Sequence, residues 1–314
     1  MKKFKLFTHT DLDGVGCAVL GKLVFGDNVD ITYCDYINVN EEIKKYIESK
    51  EFLKYNFCYI TDISINEEIE DLINNTCPEE YTEGFMLNDH FQLLDHHPTS
   101  EFLNRNFWCK VEVENSIEKT SGTELFYENL LLSEEIDTTD NISDFVITVK
   151  RYDTWLWATK YHDNFPKQLN DLFFIYGRDR FINTMIRRLL DKLTPFNLTM
   201  NELILLDIQQ EKIDVYVNSK SKNIIIKELQ GYKAGIVFSE QYISELGNRL
   251  SEMNPNLDLI AIISEDKVSY RTVKDGIDLG KFAQLYGGGG HPKSAGSEIK
   301  QEIKNKYIEM IFGE

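Results

Sequence analysis

The amino-acid sequence predicts an α/β protein with two domains, the first built on a mainly parallel sheet and the second a smaller α/β domain. Strand-like and helix-like segments alternate in the first half of the chain, which indicates βαβ units. A long helical segment, TMNELILLDIQQEKIDVYVNSK, contains no turn signal and is suited to linking two domains. Strand-like patterns return after Gly231. We therefore expect a first domain at 1–195, a linker helix at 196–230 and a second domain at 231–314.

The predicted elements follow one another in a regular order. In the first domain, strand and helix patterns alternate in the order KKFKLFTHT, DGVGCAVLGKLVFG, VDITYCDY, NEEIKKYIES, FCYITDI, NEEIEDLINN and FQLLDHH. From SGTELFYENLLL to FINTMIRRLLDKL the pattern is mostly helical, and Ser121 with Glu124 predicts a capping box at its start. The second domain begins with the strand-like segments YKAGIVFS, DLIAIIS and KVSYRTVK.

Composition and charge narrow the class of protein. The chain has 314 residues, of which 42% are hydrophobic, as is usual for globular domains. Its net charge is −18, from 52 acidic and 34 basic residues, which argues against an extended basic surface that tracks long nucleic acid. A polyanionic substrate must therefore be bound at one local site and not along an extended basic surface.

The cysteines and the N-terminus indicate a cytoplasmic protein. No C-x-x-C pair is present, so neither a disulfide framework nor a structural zinc site is expected, and we expect reduced core residues at Cys17, Cys34, Cys58, Cys77 and Cys109. The N-terminal residues lack the apolar run of a signal peptide, and no apolar run reaches membrane-spanning length.

The stretch FTHTDLDGVG places His9, Asp11 and Asp13 at alternate positions, directly before Gly14. It lies between a β-prone run and a helical pattern, so we expect a strand-to-helix turn, which is a usual place for a site in α/β folds. Alternate side chains of an extended segment point to the same side, so three metal-type ligands would converge.

Two other kinds of protein contain part of this motif, and each offers an alternative interpretation. A calcium loop of the EF-hand type also has ligands at positions 1, 3 and 5, but it requires Glu at position 12, where this chain has Leu20. A phosphatase with an aspartyl nucleophile is the second alternative, and in that case His9 would have no role.

Further polar clusters follow other predicted strands. Asp62 comes after FCYIT, and Asp95, His96 and His97 come after FQLL. Because sites in open parallel sheets lie at the carboxyl ends of the strands, we expect these clusters to meet the one at His9. Asp153, in the segment KRYDTWLW, is another candidate, although a single Asp there is also typical of a helix cap.

Together the candidates supply two imidazoles and four carboxylates, from His9, Asp11, Asp13, Asp62, His96 and Asp153. Two divalent ions that share one carboxylate would use the whole set and leave positions for water and substrate. Mixed imidazole and carboxylate ligation favours manganese, with cobalt, iron and magnesium as alternatives. Two such ions about 3.5–4 Å apart lower the pKa of a bridging water and neutralise phosphoryl charge. The sequence therefore predicts a two-metal hydrolytic centre.

The ordered motifs His-x-Asp-x-Asp-Gly, a single Asp after a strand, Asp-His-His and a later Asp resemble the DHH phosphoesterase family. The resemblance implies two metal sites that share Asp62 as a bridge, one formed by His9, Asp11 and Asp62 and the other by Asp13, Asp62, His96 and Asp153. It also implies that Asp95 orients a histidine and that His97 contacts the scissile phosphate or assists proton transfer. The stretches HTDLDGVGC, SGTELFYE and RYDTWLW are most similar to the small bacterial oligoribonucleases of that family, the nano-RNases.

The C-terminal stretch YGGGGHPKSAG resembles the glycine-rich signature of the substrate domain associated with this family, and SYRTV supplies its usual arginine. A P-loop is excluded because Pro292 stands where a glycine is required. Consecutive glycines let backbone N–H groups approach an anion closely, whereas a tight turn would account for only one or two of them. We therefore expect the substrate to be bound by Arg271, Gly287, Gly288, Gly289, Gly290 and His291.

These features and the resemblance imply a metal-dependent phosphodiesterase that hydrolyses very short RNA, with phosphoadenosine phosphate as a further candidate substrate. Cyclic-dinucleotide hydrolysis and single-strand DNA exonuclease activity are alternatives with the same chemistry. An inorganic pyrophosphatase is less favoured, because the glycine-rich signature favours a nucleotide. A metal- and nucleotide-binding sensor without turnover is the alternative from another class. We expect no membrane and no long duplex nucleic acid as a partner, and a homodimer is left open.

Overall fold

The computed structural model describes residues 2–76 and 86–313. It divides into two compact units, Met1–Leu203 and Ile204–Glu314, and each unit has its own sheet and its own core. The predicted α/β class with a second, smaller sheet domain is confirmed.

The sheet of the first unit contains, among the described residues, five strands that are all parallel. In chain order they are β1 Phe4–Thr8, β2 Val29–Tyr33, β3 Phe57–Thr61, β4 Phe91–Asp95 and β5 Cys109–Val111. Their spatial order is β2-β1-β3-β4-β5, so the chain leaves β1 towards one edge and then returns to its other side. Ligand sites of open α/β sheets form where the strand order reverses in this way, here between β1 and β3.

Helices cover both faces of this sheet. They are α1 Leu12–Phe25, α2 Val39–Glu48, α3 Glu67–Asn75, α4 Gly122–Leu132, α5 Asp140–Asp153, α6 Phe165–Tyr176 and α7 Arg178–Leu190. Alternation along β1 sends Leu6 into a core with α1, α4, α5, α6 and α7, and sends Phe7 into a second core with α2 and α3. Because both faces are covered, β1 is buried throughout, as expected for a central parallel strand.

The start of α4 shows half of the predicted capping box. The Ser121 hydroxyl accepts a hydrogen bond from the backbone N–H of Glu124 at 3.2 Å. The Glu124 carboxylate does not complete the box, because it accepts a hydrogen bond from Lys150 Nζ at 2.7 Å. An ion pair with a buried lysine has replaced the reciprocal bond.

Within its described residues, the second unit contains a mixed sheet of six strands in the order β10-β11-β9-β8-β7-β6. The strands are β6 Ile225–Leu229, β7 Tyr232–Phe238, β8 Leu259–Ile263, β9 Lys267–Arg271, β10 Gly289–His291 and β11 Ser294–Glu298. The helix α8 Met200–Ser221 precedes them, and the helices α9 Ile243–Met253, α10 Leu279–Gln284 and α11 Gln301–Phe312 accompany them. Two apolar clusters, one with α9 and one with α10, form the core of this unit.

The linker prediction needs correction at its C-terminal end. The helix α8 ends at Ser221, and β6 begins at Ile225, inside the range 196–230 that the sequence assigned to helix. The β-branched run Ile224–Ile226 favours a strand. Gln230 and Gly231 both have positive φ, 52° and 83°, which is the geometry of a two-residue hairpin turn joining β6 to β7.

The described cysteines agree with the expectation of reduced core residues. Cys17, Cys34, Cys58 and Cys109 are free and buried, whereas Cys77 lies outside the described residues. In the described parts of the chain, no helix has the length and apolar character needed to cross a membrane.

Candidate active site

The predicted ligands of the first unit lie at the carboxyl ends of three adjacent strands. His9 follows β1, Asp62 follows β3, and His96 and His97 follow β4. The parallel topology therefore brings together residues that are far apart in the sequence, as expected from the strand-end pattern.

The turn between β1 and α1 differs from the extended segment that was predicted. Asp11 is the N-cap of α1 and accepts a hydrogen bond from Gly14 N at 3.1 Å, and Asp13 lies in the first helical turn. Alternation along a strand therefore does not account for the convergence of the three side chains, and that part of the prediction was wrong. Gly14 permits the turn, because a Cβ there would lie 2.7 Å from His9 Cα. The strand end and the helix start together aim these side chains at one place.

One group of possible ligands consists of His9, Asp11 and Asp62, which offer ligand atoms within 4.8 Å of one another. His9 Nδ1 lies 2.9 Å from Asp11 Oδ2 and 3.9 Å from Asp62 Oδ2. Buried Asp62 Oδ2 has no hydrogen-bond partner among the described residues, and the short contact of His9 Nδ1 with Asp11 lacks the geometry of a hydrogen bond. Unpartnered buried polar atoms are costly, so this donor set fits a bound divalent cation.

The second group consists of Asp13, His96 and Asp153, again with ligand atoms within 4.8 Å of one another. His96 Nε2 lies 3.6 Å from Asp13 Oδ2 and 3.4 Å from Asp153 Oδ2. It also lies 3.2 Å from Asp62 Oδ1, so the two oxygens of Asp62 face the two groups. All six residues predicted as ligands are thus brought together, and Asp62 occupies the position shared between the groups.

The acidic side chains repel one another when no cation is bound. Burial, followed by the charges of Asp13 and Asp11, raises the pKa of Asp62 well above its ordinary value. Burial and the same two carboxylates raise the pKa of Asp153 to about 8. The site is therefore a cluster of carboxylates that favours either protons or cations.

The metal-free protein should lose stability as the pH rises from about 4 to about 8. Asp153 has a folded pKa of about 8 against an ordinary value of 3.8, so in this range the folded state binds more protons than the unfolded state. The free energy of unfolding must then fall with rising pH. Thermal unfolding of the protein in chelator should show a declining Tm over this range, and added manganese should raise Tm most at pH 8. A Tm of the chelated protein that rises steadily to pH 8 would contradict this prediction.

The N-terminus of α4 holds Asp13, a contact that the sequence did not reveal. Gly122 N donates to Asp13 Oδ2 at 2.6 Å and Thr123 N donates to Asp13 Oδ1 at 2.9 Å. The Thr123 hydroxyl donates to the Asp13 carbonyl at 2.7 Å. The signal was Ser121, because an N-cap marks a helix start whose free N–H groups bind anions.

Lys150 links the two helices that surround the second group. Its Nζ lies 2.7 Å from Glu124 Oε1 on α4 and 3.0 Å from Glu118 Oε1. Lys150 is on α5, which ends at Asp153, and α4 begins with the residues that hold Asp13. This buried ion-pair network therefore connects the helix that supplies Asp153 to the helix that anchors Asp13.

The residues predicted for catalysis, Asp95 and His97, contact each other. Asp95 Oδ1 lies 2.7 Å from His97 Nδ1, and Asp95 is fully buried. The other ring nitrogen, His97 Nε2, lies 2.9 Å from the hydroxyl of Tyr36, which the sequence did not single out. The histidine that Asp95 orients is thus His97.

In the second unit, Arg271 ends β9 and is partly buried. Its Nη1 donates to the Tyr270 carbonyl at 2.9 Å and its Nη2 donates to Ser244 Oγ at 3.2 Å. The guanidinium is therefore held by its own unit.

The four glycines of the C-terminal signature play more than one structural role. Gly287 N donates to the Gln284 carbonyl at 3.1 Å and Gly288 N to the Ala283 carbonyl at 2.9 Å, so both N–H groups close the end of α10. Gly289 and Gly290 belong to β10, and the exposed His291 ends that strand. The turn after the helix thus accounts for two of these glycines, as the sequence allowed, and the N–H groups of Gly287 and Gly288 are already used.

Comparisons with known proteins agree with this architecture. The family model of the DHHA1 domain matches residues 221–312. The chain is 38% identical over 313 residues to the oligoribonuclease NrnB of Bacillus subtilis strain 168, with 98% of this chain and 76% of that protein covered.

Two solved structures are similar at low sequence identity. A manganese-bound exonuclease RecJ has a TM-score of 0.57 at 14% identity, with 98% of this chain and 88% of that chain covered. The pGpG-specific phosphodiesterase PggH of Vibrio cholerae has a TM-score of 0.51 at 13% identity, with 98% of this chain and 97% of that chain covered. At these identities, the similarities show a shared fold.

Proposed function

Because the chain belongs to the DHH phosphoesterase family, we propose that it is a metal-dependent phosphodiesterase that hydrolyses short oligonucleotides, as an oligoribonuclease of the nano-RNase type. One observation carries the proposal. Two imidazoles and four carboxylates converge in two groups at the carboxyl ends of the strands, and the buried Asp62 faces both groups. A sensor without turnover would not need this complete set of ligand-type side chains.

We propose that His9, Asp11 and Asp62 hold one divalent ion and that Asp13, Asp62, His96 and Asp153 hold the other. When bound, such a pair activates a water for attack and neutralises the charge of the phosphoryl group. Oxygen and nitrogen donors without thiolates suit manganese, our preferred ion, and magnesium, iron or cobalt are alternatives.

The protein groups around these ligands orient them and the substrate. The N–H groups at the start of α4 fix both oxygens of Asp13, which leaves their outward lone pairs for a cation. Asp95 holds the ring of His97 beside the carboxylate cluster, where we propose that the imidazole contacts the scissile phosphate or moves a proton to or from it.

The net charge of −18 supports a short substrate, since a long single strand usually requires a basic channel. We propose that Arg271, His291 and the loop Gly287–Gly290 bind the part of the nucleotide that lies away from the scissile bond. Among these glycines, Gly289 and Gly290 lie on the edge strand β10, which pairs with β11, whereas the N–H groups of Gly287 and Gly288 close α10.

Replacing Arg271 with Ala should weaken hydrolysis of dinucleotides and trinucleotides by roughly 1.5–3 kcal/mol, the range for a hydrogen bond to a charged group. Binding energy remote from the reacting bond positions the substrate, so it affects only substrates that reach it. Hydrolysis of bis-p-nitrophenyl phosphate should change little. Arg249→Ala is the matched control, because Arg249 pairs with Asp214 in the same unit. If Arg271→Ala abolished small-ester hydrolysis with fold and metal content intact, Arg271 would belong to the chemical centre.

Turnover of a substrate panel tests the proposed function directly. Purified protein with manganese should release mononucleotides from RNA of two to five residues, shown by chromatography of labelled products. Longer RNA, single-stranded DNA, cyclic dinucleotides and phosphoadenosine phosphate complete the panel, and Asp13→Asn serves as the inactive control. Preferred turnover of a cyclic dinucleotide or DNA would favour those alternatives, and nucleotide binding without any turnover would favour the sensor. A cytoplasmic location and a homodimer stay predictions.

A further inference from the structure

Tyr36 lies in the turn between β2 and α2, and its backbone is firmly held. Asp35 Oδ1 accepts hydrogen bonds from Ile37 N at 2.8 Å and from Asn38 N at 3.1 Å. Asn38 Oδ1 accepts in return from Asp35 N at 2.8 Å. Cys34 N donates to the Thr8 carbonyl at 2.8 Å, which ties the turn to the end of β1. The turn therefore presents Tyr36 at the carboxyl edge of the sheet in a defined position.

The side chain of Tyr36 is 57% exposed, yet its hydroxyl points to the candidate active site. The hydroxyl oxygen lies 2.9 Å from His97 Nε2. The ring meets the ring of His97 edge-on, with centroids 5.8 Å apart, and its centroid is 5.1 Å from that of His9. Tyr36 thus lies beside both the metal-type ligands and the histidine assigned to the substrate.

The two hydrogen bonds of His97 define its tautomer. The buried carboxylate of Asp95, 2.7 Å from Nδ1, accepts a hydrogen bond, so Nδ1 carries the proton. When the ring is neutral, Nε2 is the acceptor and the Tyr36 hydroxyl donates to it. Asp95 and Tyr36 hold opposite nitrogens, so together they fix the rotation of the imidazole and the position of its proton.

This bond has little reason to exist for stability alone. Tyr36 is 57% exposed, and one hydrogen bond between neutral groups contributes little net free energy to folding. We propose that Tyr36 is a positioning residue, whose hydroxyl holds His97 in the orientation and tautomer that the phosphodiester meets. The inference rests on the proposed function, because it assumes that His97 acts on the substrate.

The test combines Tyr36→Phe, His97→Ala and the double variant, assayed on a labelled RNA dinucleotide with manganese. Tyr36→Phe keeps the ring and removes the hydroxyl, so kcat should fall about 3- to 10-fold, as expected for one hydrogen bond, while KM changes less than about two-fold. In the His97→Ala background, Tyr36→Phe should have no further effect, because it acts through His97. Tyr55→Phe is the matched control: it removes a hydroxyl bonded to Asp30 Oδ2 at 2.6 Å in the same unit, and kcat should not change.

A second measurement does not depend on activity. The ¹⁵N chemical shifts of His97 should report a proton on Nδ1 in the unmodified protein, and Tyr36→Phe should shift the Nε2 signal. A protein with these shifts but no turnover on the substrate panel would overturn the proposed function, and with it the catalytic role of the bond. Full activity of Tyr36→Phe, an additive loss in the double variant, or a rise in KM at constant kcat would overturn the positioning role instead. The last result would mean that Tyr36 contacts the substrate directly.

Discussion

Asp62→Asn is expected to lower turnover more than any other single ligand change, by more than about 100-fold, which exceeds the usual loss for residues that only support metal ligands. Asp62 Oδ2 faces His9, and Asp62 Oδ1 lies 3.2 Å from His96 Nε2, so one carboxylate serves both groups. An amide removes the charge shared by both proposed cation positions. Loss of that charge should also raise the pKa of the attacking water.

Asn is the appropriate replacement because Asp62 adopts φ 56°, in the left-handed region that Asn tolerates better than Ala. Without metal, the variant should be more stable than the unmodified protein at pH 8, because it removes a buried carboxylate whose pKa is raised by burial and by Asp13. Steady-state rates and Tm with and without manganese check both statements. Asp11→Asn is the control, since Asp11 is half-exposed and belongs to one group, and it should lose less activity. Near-normal turnover of Asp62→Asn at saturating manganese would contradict the bridging role.

The sequence predicted the fold of the first unit well for a physical reason. Strands buried on both faces give short apolar runs, and amphipathic helices such as α2 give a helical period, so both kinds of element are easily recognised. Parallel βαβ connections then leave few arrangements. The C-terminal end of the linker was harder to predict. The residues before Gly231 mix polar and apolar side chains as the preceding helix does, and only Ile224–Ile226 indicate a strand. The hairpin that includes β6 depends on pairing with β7, which local pattern does not show.

The sequence predicted those parts of the candidate site whose positions follow from the topology of the sheet. Clusters after β1, β3 and β4 must meet because those strands are parallel neighbours, and this placed His9, Asp62 and His96 together. The direction of Asp13 was not predictable in the same way, since the helix α1 already begins at Leu12 and includes Asp13. Tyr36 was missed because its partner His97 is 61 residues away and the turn that carries Tyr36 has no catalytic signature.

Gly122 marks another contact that sequence patterns could not reveal. It is the first residue of α4, and its backbone lies directly against Asp62, 60 residues earlier in the chain. A Cβ at this position would overlap the Cβ of Asp62 and lie 2.8 Å from its Cα. Because Asp62 is buried and its backbone follows β3, it cannot move aside easily. Only glycine therefore allows α4 to approach Asp62 while its N–H groups hold Asp13.

Gly122→Ala is expected to reduce turnover roughly 100-fold, the loss that a displacement of about 1 Å can cause in an active site. The added methyl must push α4 away, which lengthens the bonds from Gly122 N and Thr123 N to Asp13 and disturbs both proposed cation positions at once. Gly21→Ala in α1 is the matched control, because its Cβ would approach the end of the Leu6 side chain at 3.3 Å and would meet Phe126 and Val29 at ordinary contact distances of 3.9 and 4.0 Å. Helix propensity should offset the contact with Leu6. Manganese titration by calorimetry, together with rates at saturating metal, should show weaker binding and lower turnover for Gly122→Ala, and neither for Gly21→Ala. If Gly122→Ala bound manganese and turned over substrate like the unmodified protein, the contact between α4 and Asp62 would have no part in holding the site.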